Sequence, residues 1–423
     1  MVQFNTLMML FLAAFVTVAI LRRLLTALNI RHLRLHGHEV PKAFTGEIDG
    51  ETLSRMSRYT AESSKFGAME GLFDDLVTLA ILLSGFLPWL TARILPWKEH
   101  FIASGLMFFG VLFLISFLLG IPFALYQTFV IEKKYGFSTV TPALWISDLL
   151  KNFVISAILL GILLGVFLAL MHYAERTWWL WAWMVFASFQ LLMLWLYPVV
   201  IAPFFNKYEP VRDNTLKEAI VAMMAKAGLK TEGVYQVDEG KRSRHTNAYF
   251  TGIGKTKRIV LYDTLLNSHS HDEILAILAH EIGHWKKRHI LMQLAFMETA
   301  SLAVFYLAYR LIDWPIPYQT FGFEQPVAYA GLLLLAAIFG PLAFFLTPLG
   351  TAALRRFERQ ADHYSYILTG STQPLRNALK RLAKDNLANL HPHPLYAWFY
   401  YSHPPLTERI LRLRDMETRQ KAP

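Results

Sequence analysis

The sequence predicts a mostly α-helical, polytopic membrane protein with a smaller polar unit that holds a little β-sheet. Three observations predict it. The chain of 423 residues is 54% hydrophobic and only 17% charged. Its apolar residues cluster into seven long blocks, each near the ~20 residues that a membrane-spanning helix needs. The polar stretch after the fifth block contains His280-Glu281-Ile282-Gly283-His284, an H-E-x-x-H pattern whose histidines share one helix face.

The expected spans are 4–28, 71–95, 101–125, 153–173, 177–204, 290–312 and 326–349. The first apolar run has no positive residue ahead of it, and Arg22 and Arg23 follow it. A cleaved signal peptide has the reverse order, so a retained anchor is expected. The fifth span opens on Trp178, Trp179, Trp181 and Trp183, a cluster suited to a membrane interface. The seventh contains Gly340-Pro341, which should kink it within a bundle.

Lys and Arg orient the stack. Arg22, Arg23, Arg31, Arg34, Lys42, Arg55, Arg58 and Lys65 follow the first apolar run, and Lys133, Lys134 and Lys151 separate the third span from the fourth. The alternate loops are poor in both. The positive-inside rule then sets the N-terminus outside, with the H-E-x-x-H motif and the C-terminus on the cytoplasmic side. The net charge of +10 is read as loops facing anionic headgroups, not as a nucleic-acid surface. There are no cysteines, which excludes disulfides, Cys-ligated zinc and thiol catalysis.

Two domains are expected: a membrane domain over 1–205 with five spans, and a second over 206–423 that includes spans six and seven. In the second, a helix over 216–227 precedes strands near 233–237, 247–251 and 258–261. The next helix opens on Ser270-x-x-Glu273, a capping box, and runs through His284. Ile274, Leu275, Ile277, Leu278 and Ile282 give it a buried face. Gly283 weakens a helix by roughly 1 kcal/mol relative to Ala, and its place beside the motif suggests close packing.

Two imidazoles at i and i+4 can hold one Zn²⁺, and Glu281 between them is placed to act as a base on water. A catalytic zinc needs a third protein ligand and an open position. The best candidate is Glu358 in Arg355-Arg356-Phe357-Glu358-Arg359-Gln360-Ala361-Asp362. Asp362 lies one turn on, where it can accept a hydrogen bond from a ligand histidine and fix its tautomer. His271 and His289 flank the zinc helix without ligand spacing and are read as structural. Glu70, Asp74, Asp75, Asp148, Lys151, Asn152 and Glu298 lie in or near spans. Such groups either face a wet interior or reach to headgroups.

The chain resembles the type I CAAX prenyl proteases, integral-membrane zinc endopeptidases, and more distantly the heat-shock membrane protease HtpX. The matching pieces span nearly the whole chain. They include Glu132-Lys133-Lys134-Tyr135-Gly136-Phe137-Ser138, Ile201-Ala202-Pro203-Phe204-Phe205-Asn206-Lys207 and Arg244-His245-Thr246-Asn247-Ala248-Tyr249. The H-E-x-x-H and E-x-x-x-D segments and Ser402-His403-Pro404-Pro405 complete them.

The resemblance implies one Zn²⁺ held by His280, His284 and Glu358, with Glu281 as catalytic glutamate and Asp362 behind the ligands. It implies that His403 and Arg409 line the cleft near the metal as catalytic residues, where a neutral His or an Arg could stabilise the tetrahedral oxyanion, and that Asn247 and Ala248 belong to an edge strand that binds extended substrate. Seven helices around an intramembrane chamber are implied as well. The implied partners are the lipid bilayer and a peptide or protein substrate, prenylated near its C-terminus. Quality control of membrane proteins would use the same chemistry. From another class, a seven-helix transporter or receptor with a structural zinc is the competing reading. A closed structural site would need four protein ligands, and three are found.

Overall fold

A computed structural model describes residues 1–94, 100–251 and 256–421. The membrane half contains α1 (Thr6–His36), α2 (Gly50–Leu83), α3 (Phe86–Ile94), α4 (Phe101–Tyr126), the short α5 (Glu132–Lys134), α6 (Pro142–Tyr173) and α7 (Trp178–Leu196). Then come α8 (Asn214–Lys226), α9 (Asp263–Ser268), α10 (His271–Lys286), α11 (His289–Leu311) and α12 (Pro315–Thr320). The chain closes with α13 (Ala328–Thr369), α14 (Gln373–Asp385), α15 (Pro394–Tyr400) and α16 (Leu406–Lys421). Four strands form one sheet: β1 (Tyr208–Pro210), β2 (Lys230–Val237), β3 (Ala248–Thr251) and β4 (Thr256–Tyr262), in the order β1-β2-β4-β3.

Among the described residues six helices are long and apolar enough to cross a membrane, and the bent pair α2–α3, taken as one span, makes a seventh. The second expected span is therefore not one straight helix. α2 ends at Ser84, Gly85 takes φ +78°, and α3 leaves at 58°. A left-handed φ is cheap only for glycine, so the sequence allows the break there. Leu95, at the end of that expected span, lies outside the described residues. The fourth span starts at Pro142, earlier than apolarity alone indicated, because Thr141 caps the helix and proline suits its first turn. Gly340-Pro341 does not interrupt α13. The short β1 was not expected, and Asn247 immediately precedes β3.

Helix contacts run α1 to α2–α3, on to α4, α6, α7, α11 and α13, and back to α1. This is a closed ring. Only 6% of the apolar stretch in each of the spans built on α4, α6 and α7 is buried, and none in α11. A helix in a filled bundle buries a stripe about 100° wide. Few of their residues are fully buried on either side, so they form a single-layer wall whose interior is not packed. Packing is concentrated at the ends. Phe11, Phe108, Leu168, Trp178, Phe321 and Tyr329 close one end. Separate apolar clusters around Leu53 and Leu379, and around Ile220 and Ile259, fill the other.

Three of the acidic groups in the wall have partners. Asp75 pairs with Arg23 at 2.9 Å, Asp148 takes two hydrogen bonds from Arg242 at 2.7 and 3.0 Å, and Glu298 accepts from Gln190 at 2.9 Å. The Asp148–Arg242 pair ties the wall to the polar unit. So does the segment after α5: Arg244 N–H donates to the Phe137 carbonyl, and Thr139 N–H to that of Arg242.

His245 is the hub of this junction. Its Nδ1 lies 2.8 Å from Asn386 Oδ1 and its Nε2 lies 3.4 Å from Glu132 Oε2, while its ring stacks on Phe137 at 4.1 Å. Thr246 fixes the Asn386 amide by donating N–H to Oδ1 and accepting from Nδ2. Only the doubly protonated ring can donate to both acceptors. Burial works against that charge, but the hydrogen bonds to Glu132 and Asn386 outweigh it and raise the His245 pKa.

A raised folded-state pKa gives stabilisation that is complete below the ordinary value of about 6.5 and lost as pH rises through the folded value. The apparent melting temperature of the wild type should therefore exceed that of His245→Gln at about pH 6, and the gap should shrink toward about pH 8.5. A gap constant over that range would rule out a charged His245 at the junction.

Candidate metal centre

α10 is built to present the motif. Ser270 accepts from Glu273 N–H and Glu273 bonds back to Ser270 N–H, so both halves of the capping box form. Ile274, Leu278 and Ile282 are buried among the apolar residues of α8 and the sheet. The opposite face meets α13. At that crossing a Cβ on Gly283 would stand 2.9 Å from Ala361 Cα and 3.0 Å from the Ala361 carbonyl oxygen. Any side chain there would push the two helices apart. The close packing expected of Gly283 is present.

This approach brings the ligand candidates together. One donor atom each from His280, His284 and Glu358 lies within 4.8 Å of the others. His280 Nε2 is 3.2 Å from His284 Nε2 and 3.4 Å from Glu358 Oε2, and His284 Nε2 is 3.1 Å from Glu358 Oε1. Glu281 is half-buried beside them, and its carboxylate accepts no hydrogen bond from the described residues.

Behind the cluster stands a buried ion network. His280 Nδ1 lies 2.9 Å from Asp362 Oδ1. Arg409, on α16, donates to Asp362 from Nε at 2.8 Å and Nη2 at 2.6 Å, and its Nη1 stands 3.5 Å from Glu358 Oε2. His280, Glu358, Asp362 and Arg409 are all buried. Two carboxylates against one guanidinium leave the network one negative charge in excess, which favours a cation. Burial and Arg409 disfavour a charged His280 ring, yet hydrogen bonds to Asp362 and Glu358 outweigh them and raise its pKa to about 9. The same carboxylates that hold a proton on His280 would hold a metal at its Nε2.

His284 has a support that the sequence did not reveal. His284 Nδ1 lies 3.1 Å from Nδ1 of the fully buried His289, whose Nε2 lies 2.8 Å from Gln360 Oε1. Gln360 Oε1 accepts from His289 Nε2–H, which leaves His289 Nδ1 to accept from His284 Nδ1–H. His284 Nε2 then carries its lone pair toward Glu358. Phe357 stacks on His289 at 4.3 Å and holds the ring in plane. Spacing could not find this. Arg288 takes φ 57° between α10 and α11, and that reversal folds His289 back. His289 is thus structural, as expected, but its partner is the metal cluster itself.

The remaining candidates divide. His403 is the exposed member, with 60% of its side chain accessible, and its Nε2 lies 3.3 Å from Glu358 Oε1. Ser402 Oγ is 2.9 Å from its Nδ1. β3 is an edge strand that pairs antiparallel with β4 and packs beside α10. The Asn247 carbonyl accepts from Tyr262 N–H, so Asn247 faces β4 and Ala248 and Phe250 turn their backbone groups to the free edge. Asn247 Oδ1 accepts from Ala248 N–H at 2.8 Å. His271 pairs with Asp213, away from the cluster.

The donors fit a divalent first-row metal. Two imidazole nitrogens and a carboxylate converge without sulfur, and the buried Glu358 Oε2 has His280 Nε2 at 3.4 Å and Arg409 Nη1 at 3.5 Å beside it. Hydrogen-bond partners behind metal ligands commonly contribute about 10–100-fold in affinity. Asp362→Asn and His289→Ala should each weaken metal binding by about that factor in a chelator competition, and His289→Gln less than His289→Ala. Wild-type affinity in His289→Ala would show that His284 needs no support.

Known proteins place this geometry. Residues 29–207 match the CAAX prenyl protease N-terminal family of five membrane helices, and residues 210–417 match peptidase family M48. CAAX prenyl protease 1 of Saccharomyces cerevisiae is 34% identical, with 92% of each chain covered. The human CAAX prenyl protease 1 homolog is 32% identical, with 89% of each covered. The crystal structure of S. mikatae Ste24p superposes with a TM-score of 0.88 at 30% identity, covering 97% of this chain and 99% of that one. The chain belongs to peptidase family M48 and is a membrane metalloendopeptidase of the CAAX prenyl protease type.

Proposed function

We propose that the metal is Zn²⁺, held by His280, His284 and Glu358, and that the substrate is a prenylated protein cut near its C-terminus. The observation that carries the metal reading is the convergence of these three donors, with Glu281 on the same helix between the two histidines. Three protein ligands leave a position open, as hydrolytic zinc sites require. Bound zinc supplies Lewis acidity that lowers the pKa of water toward about 7 and polarises the scissile carbonyl.

The chain's own residues do the rest. Glu281 takes the proton of the attacking water and passes it to the leaving amine nitrogen. His403, exposed at the edge of the cluster, donates to the oxygen that gains charge at the tetrahedral carbon. Arg409, expected to act on the oxyanion, is buried against Asp362, Glu358 and His280 and acts by holding them. The Ala248 carbonyl and the backbone of Phe250 offer hydrogen-bonding groups to an extended substrate, which adds to the sheet as a further strand beyond β3, and Asn247, which takes the Ala248 N–H, sets that edge. The prenyl reading rests on the relatives named CAAX prenyl protease 1 and on a wall whose unfilled interior admits a lipid chain. The domain boundary is proposed near 205–206, and the Lys/Arg bias supports a cytoplasmic metal site with the N-terminus outside.

Glu281→Gln should retain zinc and lose about 10²–10⁴-fold in kcat, whereas Glu358→Ala should lose the metal. Full cleavage by Glu281→Gln would exclude it as the base. In proteoliposomes a farnesylated peptide should be cut with a far higher kcat/KM than its unmodified counterpart. Equal rates would favour a quality-control role with the same chemistry.

A further inference from the structure

A cavity of about 700 Å³ opens between α2 and the α4–α5 junction and shares no residue with the metal cluster. Arg55, Arg58, Lys65 and Lys134 line it, against a single carboxylate, Glu62. Glu62 is already engaged, accepting from Lys134 at 2.6 Å and from the Tyr135 hydroxyl at 2.8 Å. Arg55 donates to the Tyr135 carbonyl and Arg58 to the Ser54 hydroxyl. Neither they nor Lys65 forms an ion pair among the described residues. The cavity therefore keeps three uncompensated cations.

Its other wall is apolar. Phe66, Met69, Tyr126 and Ile131 line it, with Phe66 stacked on Tyr126 at 4.9 Å. Met69 is 53% and Tyr126 46% exposed. The apolar stretch of α2 begins at Gly71, just past Met69, and that of α4 ends at Tyr126, just before Lys133 and Lys134. The cavity thus lies where hydrocarbon gives way to headgroups, on the Lys/Arg-rich side. A π-turn over Gln127–Ile131 widens the helix at that level, a distortion often found at functional sites.

We infer that this cavity binds the headgroup of an anionic phospholipid, with its phosphate among Arg55, Arg58 and Lys65 and an acyl chain along Phe66, Met69 and Tyr126. Basic pockets between membrane helices recognise lipid phosphates in this way. A soluble anion would leave the apolar wall bare, and a peptide carboxylate would use one guanidinium of the three cations. The floor residues Ile131 and Tyr135 lead directly to Phe137, which stacks on His245. A bound lipid therefore braces the junction that precedes β3.

The test is thermal unfolding of the full chain in a neutral detergent, with phosphatidylglycerol, phosphatidylcholine, inorganic phosphate or a short peptide carboxylate added. Phosphatidylglycerol should raise the melting temperature in a concentration-dependent way, and the other three should not. Arg58→Gln/Lys65→Gln, which spares Arg55 and its bond to Tyr135, should need about tenfold more phosphatidylglycerol for the same shift. If that variant does not fold, Met69→Glu on the exposed apolar wall serves instead and should abolish the shift. A wild-type response in the folded variant, an equal shift with phosphatidylcholine, or a full shift with phosphate or the peptide would overturn the inference.

Discussion

The metal centre depends on how closely two helices approach at one point. At Gly283 the backbone of α10 comes so near Ala361 of α13 that no Cβ fits between them. His280 and His284 lie one turn apart on α10, and Glu358 and Asp362 one turn apart on α13. Each pair is set by its own helix. Only the interhelical distance brings the two pairs within reach of a single ion. A side chain at 283 would separate them while leaving both helices intact.

Around that contact each of the two imidazoles is held through its Nδ1. Asp362 holds His280 through Nδ1, and His289 with Gln360 holds His284 through its own Nδ1. Arg409 keeps two buried carboxylates together that would otherwise repel each other. Side chains held in this way lose little freedom when a metal binds, and the Nε2 atoms of both rings already face the common centre.

The membrane ring and the polar unit solve different problems. The ring packs firmly at its ends and leaves its middle unfilled, so its spans are held by neighbours on either side and not by a central core. The polar unit must then be fastened to the wall by specific polar contacts. Asp148–Arg242, Phe137–Arg244 and the Glu132–His245–Asn386 network do this. They converge on the segment just before β3, so the edge strand inherits its position from the membrane half.

Much of this was legible along the chain because the signals are local. Apolar blocks gave the spans, a helical period of four paired His280 with His284 and Glu358 with its support Asp362, and Ser270 with Glu273 marked the start of α10. The bend at Gly85 was less legible, since a glycine between two apolar runs reads equally well as one continuous span. The pairing of His289 with His284 could not be read at all. It depends on a left-handed Arg288 that reverses the chain, and no periodicity records that turn. The sequence by itself determined which residues could bind a metal and that they belong to a membrane protein. Only the tertiary structure decided that α13 meets α10 at Gly283, that Arg409 returns from the last helix to Asp362, and that β3 lies at the sheet edge. Those are contacts between segments far apart in the chain, and their geometry follows from packing, which local sequence does not encode.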